Sequence, residues 1–259
     1  MRFAARRCGL VGLVAVGAVL ATAVAFAAEP PAAPKVSAFA PAKDLVGQVD
    51  YYVDRLGKAV ESESEYKDSA DKVQKDANTL SVLALTLGLS DEDNQYKKAA
   101  PALIKAGQKL AGAKDFASAK AGVAGVKEAL ASSGDASSLK WGDKVATLAA
   151  LMQQVPLVNS RLKRNVGGIR FAKMAKENAG ESAAMAAIAQ ASMANADDVK
   201  KLGDAEKWYK FCADMRDAAG ALNAAIHAKD KDAAGSAMKK LAKSCDDCHE
   251  VFHPAEKAK

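Results

Sequence analysis

The residues whose types and spacing suit chemistry lie near the carboxyl terminus, where Cys245, Cys248 and His249 form a CxxCH motif. On a helical wheel with Cys245 at zero, Cys248 falls at about 300° and His249 at about 40°. All three side chains therefore share one face. Two thiols on such a face can form thioethers with the vinyl groups of a haem while the adjacent imidazole reaches the iron. The motif predicts one covalently attached haem c per chain.

Three other interpretations use the same residues. A zinc site would recruit His253, but four ligands crowded onto one short helical stretch cannot surround an ion tetrahedrally. A thioredoxin-like dithiol normally follows a strand in a βαβ unit, and the sequence shows no such pattern. A structural disulfide between Cys245 and Cys248 would suit an oxidising compartment, yet it leaves His249 without a role.

The amino terminus has the pattern of an export signal. Three arginines precede an almost uncharged apolar run over 9–24, which ends in Ala25-Phe26-Ala27, a small-x-small cleavage pattern. Residues 1–27 are therefore predicted to be a cleaved signal peptide that directs the chain to the periplasm; a retained membrane anchor is the alternative. Removing the signal takes away Cys8 and lowers the net charge from +6 to +3. That charge does not indicate a nucleic-acid partner.

The composition, together with the positions of prolines and small polar residues, predicts an all-α protein with several segments. Alanine is abundant and only 5% of residues are aromatic, which favours close-packed helices over a sheet. Four prolines within 28–42 predict a Pro/Ala-rich linker there, because proline removes backbone donors. The small polar run at 132–138 then separates a helical segment over 43–132 from another over 139–259.

The two segments resemble each other, which indicates a tandem duplication, although chance matching of Ala-rich helices is the alternative. The clearest match is gap-free and aligns Leu45, Gln48, Val49, Arg55 and Leu56 with Leu151, Gln154, Val155, Arg161 and Leu162. Each half is predicted to be a four-helix bundle. In the second half the helices are expected over roughly 143–165, 169–194, 204–227 and 231–252.

The export signal, the predicted bundle and the terminal motif Cys245-Asp-Asp-Cys248-His249-Glu-Val-Phe252 resemble the cytochrome c-prime family and its low-spin relatives. The resemblance covers about residues 140–254. It implies that Cys245 and Cys248 hold the haem, that His249 is the proximal iron ligand, and that the first helix of this half faces the distal side. Residues 28–140 contain no Cys and no His, so the first half is expected to be a haem-free copy used for packing or docking.

Met152 is predicted to be the distal iron ligand, since it lies in the helix that the resemblance places across the distal face. A thioether opposite histidine suits haem iron and raises its reduction potential. The matching position in the haem-free half is Val46, which has no sulfur. The competing interpretation is that Met152 only fills the core, as methionine often does. Cys212 is expected to be a small buried core residue.

Periplasmic electron transfer is the leading functional hypothesis, with redox proteins as partners. Binding of nitric oxide or carbon monoxide by a five-coordinate haem is the alternative. An enzyme is not expected, because the histidines cluster at 227, 249 and 253 and leave no distal acid–base pair. No membrane span is expected after removal of the signal, and a homodimer is kept open as the oligomeric state.

Overall fold

The computed structural model describes residues 29–199 and 205–252. The predicted signal peptide and His253 lie outside the described residues. Within these ranges all regular structure is helical, with ten α-helices, two short 3-10 helices and no strand. The predicted all-α class is confirmed. None of the described helices combines the length and the hydrophobicity that crossing a bilayer requires.

The helices divide into two sets along the chain. The first set is a 3-10 helix at Val36–Ala38, α1 (Ala42–Ala59), α2 (Glu63–Lys67), α3 (Ala70–Gly88), α4 (Ala100–Ala111) and α5 (Phe116–Leu130). The second set is α6 (Leu148–Val166), α7 (Arg170–Lys173), α8 (Ala175–Ser192), a 3-10 helix at Met193–Asp198, α9 (Ala205–His227) and α10 (Lys231–Phe252). The observed α9 and α10 agree closely with the helices expected from the sequence.

The long helices pack in two rings of four. In the first ring α1 packs on α3, α3 on α4, α4 on α5 and α5 on α1; α6, α8, α9 and α10 repeat that order in the second. The rings meet through α3 and α8, which pack on each other, while α1 contacts α8 and α6 contacts α3. Every residue from Asp76 to Gly88 and from Asn178 to Ser192 is buried. One apolar core therefore runs through both rings.

The two rings repeat an ion pair as well as a helix order. Arg55 of α1 pairs with Asp76 of α3, with Nε 2.8 Å from the carboxylate. Arg161 of α6, the residue that the sequence match aligns with Arg55, pairs with Glu181 of α8. Both carboxylates are buried, so each arginine neutralises a charge between the first two long helices of its ring.

Asp76 also joins the two rings. Gln154 of α6 donates from Nε2 to the Tyr52 hydroxyl at 2.7 Å and more weakly to Asp76 at 3.4 Å. Burial raises the pKa of Asp76 to about 6, against the opposing effect of Arg55, and burial also raises the pKa of Tyr52. The carboxyl group therefore holds its proton more tightly in the folded chain than in the unfolded one.

This raised pKa predicts a pH-dependent stability. Between about pH 4 and 6 the folded chain binds more protons than the unfolded chain, so the contribution of Asp76 is largest below pH 4 and falls as the pH rises through 6. Asp76→Asn removes the titration. We expect the free energy of unfolding of wild type, relative to Asp76→Asn, to fall by about 2 kcal/mol from pH 4 to pH 7 in urea titrations.

A matched control is Asp54→Asn, which removes an exposed ion pair with Lys58 in the same helix. That change should alter stability by less than about 1 kcal/mol at each pH. A difference between wild type and Asp76→Asn that stays constant with pH would contradict the prediction.

The segment 28–42 was expected to be a linker, and the structure corrects this for its second part. Val36, Phe39, Ala40 and Ala42 are at most 3% exposed. Phe39 lies so close to α9 that a Cβ added at Gly220 would meet its Cα at 3.0 Å. The prolines do prevent an α-helix over the segment, but a short 3-10 turn needs few backbone donors. The apolar side chains after Pro34 are consequently buried, and Phe39 packs against α9 of the second ring.

Candidate functional site

The CxxCH motif lies on the last turns of α10. Asp230 directly precedes this helix, and its side chain accepts from the amides of Asp232 and Ala233 at 3.1 and 2.9 Å. Such a cap satisfies donors that the first turn leaves open. The buried side chains of α10 recur every three or four residues along one face. Because α10 continues to Phe252, the motif residues are helical, as the sequence predicts.

Cys248 and His249 line a cavity of about 380 Å³ at the end of the second ring. Met152 of α6 lines the same cavity, so the structure brings the predicted distal residue and the predicted proximal residue together. The remaining wall comes from four different segments and consists of Thr147, Leu148, Ala149, Asp198, Val199, Trp208 and Phe252. Most of these residues are apolar, which suits a hydrophobic cofactor more than a hydrated ion.

Cys245 is placed differently from Cys248. It does not line the cavity and instead packs against the main core that runs through both rings. Cys248 packs against a smaller apolar cluster at the end of the ring, formed by Met193, Val199, Trp208, Tyr209 and Cys212. The motif therefore spans the boundary between the core and the cavity.

Both motif cysteines are free thiols. Burial raises the pKa of Cys245, and burial together with the neighbouring Cys245 raises the pKa of Cys248 to about 11. Both sulfurs are consequently thiols rather than thiolates at neutral pH. Within the described ranges no group of three or more His, Cys, Asp and Glu side chains could hold a metal ion.

Aromatic rings form one end of the cavity. Trp208 and Phe252 meet edge to face with ring centroids 5.5 Å apart, and Phe211 approaches Phe252 at 6.2 Å. The Trp208 indole donates to the carbonyl of Ser192 at 3.0 Å. These contacts fix the ends of α8, α9 and α10 relative to one another. Trp208 is buried in the small apolar cluster at this end of the ring and also lines the cavity.

An ion pair lies at the polar side of the cavity. Asp198 accepts from Lys144 at 2.7 Å and from the Asn195 amide at 3.1 Å. These hydrogen bonds hold the pKa of Asp198 below its usual range, so the carboxylate stays charged. Asn195 also donates to the carbonyl of Ala146, which ties the 3-10 helix after α8 to the start of α6. No local sequence pattern joins Lys144 to Asp198, which lies 54 positions further along the chain, so this cluster is not predictable from the sequence.

The described residues fit a covalent haem. They offer the thiol of Cys248, an imidazole that reaches the cavity from the exposed side of α10, an apolar wall, and a thioether on the facing helix α6, while the thiol of Cys245 lies against the main core. Comparisons of the chain with protein-family models, with curated proteins and with solved structures each found no match. The function is therefore inferred from the residues of the site itself.

Proposed function

We propose that the chain is an exported c-type cytochrome that binds one haem c and transfers electrons between redox proteins in the periplasm. The main support for the proposal is that the CxxCH motif and the predicted distal residue lie at one cavity. The Cys248 and His249 part of the CxxCH motif and Met152 line a single apolar cavity, although they come from helices almost one hundred residues apart. This arrangement agrees with the resemblance of the second half to the cytochrome c-prime family.

Each residue has a distinct role in this proposal. Cys245 and Cys248 would hold the haem covalently, and His249 would be an iron ligand from α10. Met152 on the facing helix would supply a thioether as the second protein ligand. The bound haem supplies one-electron redox chemistry. The apolar side chains of Leu148, Val199 and Phe252 and the edge of Trp208 keep water away from the cofactor.

The proposal includes a tandem origin for the two rings. The ring over 139–259 holds the haem, and the ring over 43–132 is a haem-free copy that covers α8 and α6. The repeated helix order and the repeated pairs Arg55–Asp76 and Arg161–Glu181 support this origin.

Binding of nitric oxide or carbon monoxide is the second candidate function. It is favoured by the apolar character of the cavity on the Met152 side, where Leu148 and Val199 would surround a small uncharged ligand. This function requires that the methionine sulfur leaves the sixth position of the iron open. The coordination number of the iron therefore separates the two candidates.

Optical and electron-spin spectra of the wild-type chain, produced in a host that attaches haem to CxxCH motifs, test both candidates. We expect a low-spin, six-coordinate iron with a methionine-to-iron charge-transfer band, and no binding of carbon monoxide by the reduced form. A high-spin iron that binds carbon monoxide would establish gas binding instead. A purified chain without covalent haem would refute both functions.

A further inference from the structure

A third thiol faces the attachment motif from the neighbouring helix. The short connection between α9 and α10 makes them antiparallel neighbours, and the Trp208–Phe252 contact at 5.5 Å sets their register at the cavity end. Moving four residues along each helix, away from the cavity end, covers about one helical turn. That step leads from Trp208 to Cys212 and from Phe252 to Cys248. The two cysteines therefore lie at the same level on facing helices.

Packing agrees with this register. Cys212 is 5% exposed and belongs to the small apolar cluster at the end of the ring, and Cys248 packs against that same cluster. Cys245 packs against the main core instead. The pKa of Cys212 is raised well above its usual value, first by burial and next by the nearby Cys248. Cys248 consequently has two thiol neighbours, one on its own helix and one across the helix interface.

The geometry of a disulfide favours the neighbour on the other helix. Residues three apart in an α-helix have Cβ atoms about 5–6 Å apart, whereas a disulfide needs about 3.5–4.5 Å. A Cys245–Cys248 bond would therefore require α10 to unwind around the motif. Facing side chains on packed helices can approach within the required distance without such a change.

We propose that, before haem is attached, Cys212 and Cys248 form a disulfide between α9 and α10 that withholds Cys248 from the haem. The two thiols together give up two electrons and two protons to a disulfide oxidant such as oxidised glutathione, which is reduced to two thiols. Reduction of the bond by a dithiol returns both cysteines and frees Cys248 for attachment. The bond itself is independent of the cofactor, while its regulatory consequence rests on the proposed function.

Peptide mapping of the haem-free chain tests this inference. The chain is purified from a host without haem attachment, treated with oxidised glutathione, digested with trypsin and analysed without reduction. Cleavage after lysine and arginine releases Cys212 in residues 211–216 and both motif cysteines in residues 244–257. We expect these two peptides to be linked as the main product and to separate on reduction. The link should persist in Cys245→Ala and disappear in Cys212→Ala.

A disulfide confined to residues 244–257 in wild type, or the absence of the 211–216 link in Cys245→Ala, would overturn the inference. Circular dichroism of each variant shows whether the helices are retained, and Cys245→Ala alone decides the matter if Cys212→Ala does not fold. Wild type produced in a host that attaches haem to CxxCH motifs is tested separately with a haem stain. A negative haem stain with linked peptides would refute the proposed cytochrome but not the disulfide. A positive haem stain without linked peptides would refute the disulfide but not the cytochrome.

Discussion

Replacing both Cys245 and Cys248 by alanine is expected to abolish covalent haem completely. The two thioethers are the only bonds that would survive denaturation, so a denaturing gel of the double variant should show no haem-dependent peroxidase stain. The mass of the purified chain should equal that of the polypeptide alone. Wild type from the same host should stain and should carry the added mass of one haem.

The matched control is Cys212→Ala, which removes a cysteine from the same part of the ring but leaves the CxxCH motif intact. This variant should stain as wild type does. The comparison is made in the full chain, because the rings share one core and a separated half would expose the buried faces of α3 or α8. Covalent haem that persists in the double cysteine variant would contradict the proposed attachment.

The second large effect is expected for Met152→Leu. Leucine keeps most of the side-chain volume but has no sulfur, so the fold should tolerate the change at a cost below about 1.5 kcal/mol. Loss of the axial thioether should remove the methionine-to-iron charge-transfer band and shift the ferric iron toward high spin. It should also lower the reduction potential, because methionine ligation raises it.

Met238→Leu makes the same chemical change on α10, in the main core and away from the cavity. Its optical and electron-spin spectra should match those of wild type. If Met152→Leu also kept the wild-type spectra, Met152 would not be an iron ligand and would be only part of the cavity wall.

The sequence could predict local features of the site, because they depend on neighbours along the chain. The apolar periodicity that predicted α10 is present in the structure, and Cys245, Cys248 and His249 lie on that helix. The internal match between Arg55 and Arg161 anticipated equivalent positions in two helices. Met152 was predicted from the resemblance; it lines the same cavity as His249, and its role as an iron ligand stays a prediction.

Features that depend on how distant segments meet were not predictable in the same way. The prolines before Phe39 report on the local backbone, but they do not show that α9 leaves room for the Phe39 backbone at Gly220. Likewise, the sequence alone predicts only that Cys212 is a small core residue. Its position opposite Cys248 follows from the Trp208–Phe252 contact, which sets the register of α9 against α10. The polar run at 132–138 indicated a boundary between two bodies, whereas the helices on either side of it contribute to one core.

The central position of α3 and α8 determines how cooperatively the chain unfolds. Each of these helices is enclosed by partners from both rings, so neither ring can lose its structure while the other keeps a covered core. Heat or denaturant should therefore melt the two rings in a single cooperative step. A cofactor bound at the CxxCH end of such a unit would protect residues throughout it, including α4 and α5, which lie in the other ring.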